Sequence, residues 1–101
     1  MLIPKKFSLG GVEWTVLYDD EIDLYGDNGQ CHSDHNVIKL ASKTSNVSLS
    51  EKAIEENFIH ELLHAILKSF DLSIDFSKKE EEERFVKLIT PRLHQALVTQ
   101  T

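Results

Sequence analysis

A chain of 101 residues has room for one domain with a thin core, and its net charge of −6 offers no basic surface on which a phosphate backbone could release counterions. The proportions, 41% hydrophobic and 28% charged, are those of an ordinary globular protein, with no apolar run of bilayer-spanning length, so neither nucleic acid nor membrane is an expected partner. A lone cysteine, Cys31, cannot close an internal disulfide, in keeping with a reducing cytoplasm.

The opening residues, Met1-Leu2-Ile3-Pro4-Lys5-Lys6, carry charges with no apolar run behind them. They do not read as a secretory signal, and a cytoplasmic location is expected. Residues 7 to 18 read as a β-hairpin, with Gly10-Gly11 supplying the positive φ angles of a two-residue turn. Val12, Trp14, Val16 and Tyr18 alternate along the second strand, so one face should pack on helices, with Trp14 in the core. Asp19 to Asp23 is an acidic, solvated connection. After the turn chemistry of Tyr25 to Gly29, residues 30–33 and 37–40 read as a second hairpin about Asp34-His35-Asn36. The expectation is an antiparallel sheet of three to four strands. His32, Asp34 and His35 are able to bind metal, but turn chemistry explains them, and Cys31 fits a small buried strand residue.

Residues 41–47 read as polar loop. A helix then starts between 48 and 51, through a capping box Ser48-x-x-Glu51 or with Ser50 as the cap, and extends to about Phe70. Ile54, Phe58, Leu62, Ala65 and Ile66 recur at helical spacing, and Ile59, Leu63 and Leu67 make the segment apolar around most of its girth. Such a helix belongs between a sheet and another helix. Within it lies His60-Glu61-x-x-His64. Histidines four apart project from one side of a helix and can reach a single metal ion, and the glutamate between them suits a general base. Asn57, one turn before His60, is either an orienter of that ring or a plain surface residue.

Leu72, Ile74 and Phe76 alternate in the connection that follows, which reads as extended. Ser77-x-x-Glu80 is a second capping box opening a helix through Ile89. Pro91 removes a backbone donor, but Leu93, Ala96 and Leu97 continue the spacing of Val86 and Ile89, so a kink rather than a stop is expected. Two histidines need a third protein ligand to hold catalytic zinc. The run Glu80 to Glu83 offers four candidates, of which Glu82 and Glu83 share the inward side of Val86. Spacing does not separate these two, and an acidic first turn also suits the helix dipole.

His60-Glu61-Leu62-Leu63-His64-Ala65, followed by Glu83-Arg84-Phe85-Val86, resembles the gluzincin zinc peptidases, most of all their minimal members of about a hundred residues, including short phage-associated and bacterial proteins. The likeness extends over nearly the whole chain: a Pro4-x-x-Phe7 and Gly10-Gly11 start, a strand ending near Ile38, the metal helix, then a glutamate helix with Phe85-Val86 and Leu93-His94-Gln95. The resemblance implies a single zincin-like α+β domain over residues 1–101, with the sheet packed on the two helices. It further implies Zn2+ held by His60, His64 and Glu83, with Glu61 as general base in peptide hydrolysis. A phage origin would place it in the host cytoplasm. An extended peptide or protein substrate is expected to add to the sheet edge at strand 37–40. The chain departs from the peptide-cleaving pattern in showing no local motif for an oxyanion-binding Tyr or His. His94 lies roughly 16 Å along the helix from Glu83 and reads as structural. Two other readings remain open: a non-catalytic or latent zinc-binding domain acting through a protein partner, and a globule with a fortuitous motif.

Overall fold

The computed structural model describes residues 1–69 and 79–99. The expected first hairpin forms from β1 (Lys6–Leu9) and β2 (Val12–Tyr18), with Gly10 and Gly11 at φ 56° and 80°. Both angles lie where glycine has no steric penalty. Trp14 and Val16 are buried as expected, but Val12 and Tyr18 are exposed, because only the middle of β2 lies under other elements. Phe7 stacks on Trp14 with ring centroids 6.0 Å apart and meets Phe58 edge-on at 6.3 Å.

The acidic connection is not simply solvated loop. Asp20–Tyr25 forms a 3-10 helix capped by Asp19 and closed by Gly26 at φ 76°. Its acids are used internally. Asp20 accepts from the backbone N–H of Ser42 at 2.6 Å, and Asp23 from that of Ser45 at 2.8 Å. They fasten down a small second sheet, β5 (Lys43–Thr44) paired with β6 (Val47–Ser48), in the stretch expected to be polar loop. Two-residue strands are too short to show alternation, and the turn between them is made by Ser45 and Asn46 at positive φ, with no glycine to announce it.

β3 (Gly29–His32) and β4 (Val37–Leu40) form the expected second hairpin. The sheet they join is not antiparallel throughout. Its order is β1-β2-β4-β3, and β2 pairs with β4 in parallel, from Thr15 opposite Val37 to Tyr18 opposite Leu40. The long excursion through the 3-10 helix and β3 provides the crossover that a parallel pair needs. Two corrections follow. The four-stranded sheet is mixed, and strand 37–40 is interior, so the outer edge on that side is β3.

α1 (Glu51–Ser69) lies on β3 and β4, and α2 (Lys79–Val98) packs against α1. Ser50 is the cap: its hydroxyl oxygen accepts the N–H of Ala53 at 3.1 Å. Phe58, Ile59 and Ala65 close over Trp14, Val16, Ile38 and Leu40 to make the core. α2 passes through Pro91 without stopping, and its buried stripe is Val86, Thr90 and His94. The extended reading of Leu72 to Phe76 and the capping box at Ser77 fall outside the described residues. Among those described, no helix is long and apolar enough to cross a membrane.

His94 is structural, as expected. Only 5% exposed, it sits with Nε2 2.7 Å from Glu55 Oε1, tying the C-terminal half of α2 to the start of α1. His94→Ala would remove this bond between the helices and leave Glu55 to the N-terminal ammonium, 3.3 Å from its Oε2, and is expected to lower the melting temperature by about 5 to 15 °C, read by thermal denaturation.

Candidate metal centre

The i, i+4 spacing on α1 brings the imidazoles of His60 and His64 to one side, with ring centroids 5.0 Å apart. α2 crosses in front of them in the opposite direction, since His94 meets Glu55 while Glu82 and Glu83 meet the later histidines. Glu83 bridges the pair: Oε1 lies 2.7 Å from His60 Nε2, and Oε2 lies 2.9 Å from His64 Nε2. Glu82 takes the other side of His64, with Oε1 2.8 Å from Nδ1. Both carboxylates face inward, whereas Glu80 and Glu81 are exposed, the division expected from their spacing to Val86.

The donor set suits a divalent ion. One donor atom from each of His60, His64 and Glu83 lies within 4.8 Å of the others, all three residues being half-buried. Donors of a tetrahedral zinc stand roughly 3.4 Å apart, so closing this group on an ion would take side-chain shifts of about 0.5 to 1.5 Å, within reach of rotamer adjustment. Proton accounting points the same way. A neutral imidazole has one N–H, and if His64 Nδ1 donates it to Glu82, the lone pair of Nε2 faces Glu83 Oε2. An acceptor facing an acceptor is reconciled by a shared cation, either a proton or a metal ion. Burial, helped by neighbouring His64, lowers the His60 pKa and favours the neutral ring that a metal requires.

Glu61 projects toward β3 rather than into the ligand group. Burial pushes its carboxyl up to about 7, with Glu83 and Asp27 adding to the rise while His64 and Lys68 oppose it. Such a group is poised to exchange a proton near neutrality. The residues meet in an open cleft of about 880 Å³, floored by the histidines and Glu83 and walled by residues 26–32, with Asn57, Lys68 and Lys87 at its margins. Asn57 is thus a cleft residue. Lys68 and Lys87 went unremarked in the sequence, although each follows a candidate ligand, His64 or Glu83, by four residues on its helix, a spacing that could have flagged them.

The other metal-capable residues stay out of the centre. His32 lines the cleft, but its Nε2 is 2.8 Å from Gln30 Oε1, and Gln30 Nε2 in turn donates to Asp27 at 2.8 Å. Asp34 and His35 lie in the β3–β4 turn. Cys31 is a half-buried strand residue at the cleft wall, its thiol pushed up to about 11 mainly by burial, so it is not an available thiolate.

Glu82 is placed to hold the His64 ring in orientation and fix its tautomer. Glu82→Ala is expected to weaken zinc binding by about 10- to 100-fold, measured by competition with a chromophoric chelator. No protein-family model, curated protein or solved structure matches the chain, so a functional assignment rests on the donor geometry and on the chemistry of the residues around it.

Proposed function

We propose that the chain is a zinc-dependent peptidase of the zincin-like kind, acting in the cytoplasm on peptides or proteins in extended conformation. One observation supports this above the rest: a His-His-Glu group gathered from two helices shares a cleft with a half-buried carboxylate, that of Glu61, which is not itself a donor to the group. His60, His64 and Glu83 would hold the ion. Zinc bound there supplies Lewis acidity for a carbonyl and lowers the pKa of water toward neutrality.

The protein's own residues account for the remaining steps. Glu61, whose carboxyl burial raises toward neutrality, would take a proton from the attacking water and pass it to the leaving amine. Glu82 keeps His64 turned toward the centre. β3 bounds the cleft with a backbone edge that has no strand partner among the described residues, so an extended substrate could pair with residues 29–32 through main-chain hydrogen bonds. The substrate edge expected at strand 37–40 is therefore reassigned to β3.

Purified protein stripped of metal should take up one equivalent of zinc and, once loaded, cleave an unfolded protein substrate in a chelator-sensitive way. Uptake below a tenth of an equivalent would leave only the fortuitous motif. Uptake without cleavage would favour a zinc-stabilised module that works by binding a protein.

A further inference from the structure

Gly29 is a glycine without a conformational reason. It stands inside β3, paired opposite Leu40, and its φ is not among the positive ones. Any L residue could adopt that backbone, and glycine there weakens a strand by giving up side-chain packing and adding entropy to the unfolded chain. A glycine at such a position marks close approach by another group, and here the group is known. A Cβ built on Gly29 would lie 3.0 Å from Cγ of Glu61, 3.1 Å from its Oε2 and 3.4 Å from its Cδ, and those are its three nearest atoms.

The strand around it is held firmly. Gln30 and His32 project from the opposite face of β3, where Asp27, Gln30 and His32 are linked in series by two side-chain hydrogen bonds of 2.8 Å. The ladder to β4 fixes the register from Gly29 to His32. At Gly29 the wall facing Glu61 is therefore bare backbone, braced from behind, and Cys31 is the next side chain on the same face.

We propose that Gly29 is a positioning residue for Glu61: the side-chain-free strand admits the glutamate into the cleft and sets where its carboxylate rests. The catalytic consequence depends on the peptidase reading, whereas the contact does not. An added methyl group would be relieved by the flexible side chain of Glu61 rather than by backbone, so the fold survives and the carboxylate moves by a few tenths of an ångström. Misplacement of 1 Å can cost a reaction about a hundredfold, which puts the loss here at about tenfold.

The test compares Gly29→Ala with wild type in two ways. With carboxyl-13C glutamate labelling and the Glu61 resonance assigned by its loss in Glu61→Gln, the Glu61 signal of Gly29→Ala should move at fixed pH. Zinc stoichiometry and melting temperature should hold. Kinetically, kcat should fall about tenfold with KM little changed. Glu61→Asp, which draws the carboxylate back from the added methyl, should cost less when combined with Gly29→Ala than when made in the wild-type chain. An unmoved resonance overturns the proposal, as does a kinetic cycle in which the two substitutions simply multiply. If wild-type protein cleaves nothing, the peptidase reading has failed, and the resonance comparison still decides whether Gly29 positions the carboxylate.

Discussion

Glu61→Gln is expected to bind zinc as wild type does while hydrolysing an unfolded protein substrate about 10²- to 10⁴-fold more slowly, the usual contribution of a positioned proton-transfer group. Glutamine keeps the size and polarity of the side chain but cannot accept and return a proton, so metal content and hydrolysis should separate. Equal rates for the two proteins would remove Glu61 from the chemistry and with it the case for a peptidase. The same pair carries a second signature in the metal-free state. Burial raises the folded pKa of Glu61 from 4.5 to about 7, so between these values the folded chain holds a proton that the unfolded chain has released. Stability therefore falls as pH rises through this window. His60, with its pKa lowered, acts in the opposite direction below 6.5 and is present in both proteins. The difference between them isolates Glu61: near pH 4 the two should be similarly stable, and by pH 7.5 the glutamine variant should be ahead by about 2 to 3 kcal/mol. Denaturant titrations across that range provide the measurement.

Glu83→Ala should damage zinc binding more than Glu82→Ala does. Glu83 touches both imidazoles through their Nε2 atoms, whereas Glu82 meets only the Nδ1 of His64, the nitrogen turned away from the shared centre. Loss of an orienting partner costs about 10- to 100-fold in affinity; loss of a direct donor should exceed that and reduce bound zinc below one equivalent after gel filtration. Chelator competition on the two variants would rank them. The reverse ranking would make Glu82 the ligand and Glu83 its support.

How far the sequence could be read depended on whether the relevant spacing was local. His60 and His64 share a helical face by periodicity alone, and Val86 told which carboxylates of the acidic run turn inward. Glu82 and Glu83 stayed equivalent at that level, because their separation comes from how α2 crosses α1 and which ring nitrogen each meets. The resemblance to gluzincins had favoured Glu83, and it is Glu83 whose two carboxylate oxygens lie 2.7 and 2.9 Å from the Nε2 atoms of His60 and His64. The strand hairpins were legible from Gly10-Gly11 and from the turn at Asp34 to Asn36, but the order of strands was not. Pairing of β2 with β4 joins residues more than twenty positions apart, which no local pattern encodes. The substrate edge expected at strand 37–40 was mistaken for the same reason, since that strand is interior only through its parallel pairing with β2. Lys39 on that interior strand keeps its ammonium group beside the sheet, 3.4 Å from Asp19. Gly29 was absorbed into the turn chemistry of residues 25–29, and only the neighbouring carboxylate reveals another reason for it.

The division of candidate donors between α1 and α2 would give a bound ion a mechanical part as well as a chemical one. An ion coordinated there would act as a clasp between two helices that His94 and Glu55 also fasten, toward the opposite end of the pair. Since the unfolded chain offers no preformed group of this kind, resistance to heat and to proteolysis should climb with free zinc, by about 2.7 kcal/mol at a hundred times the dissociation constant. Cellular zinc supply would then govern how long the protein lasts as well as whether it works.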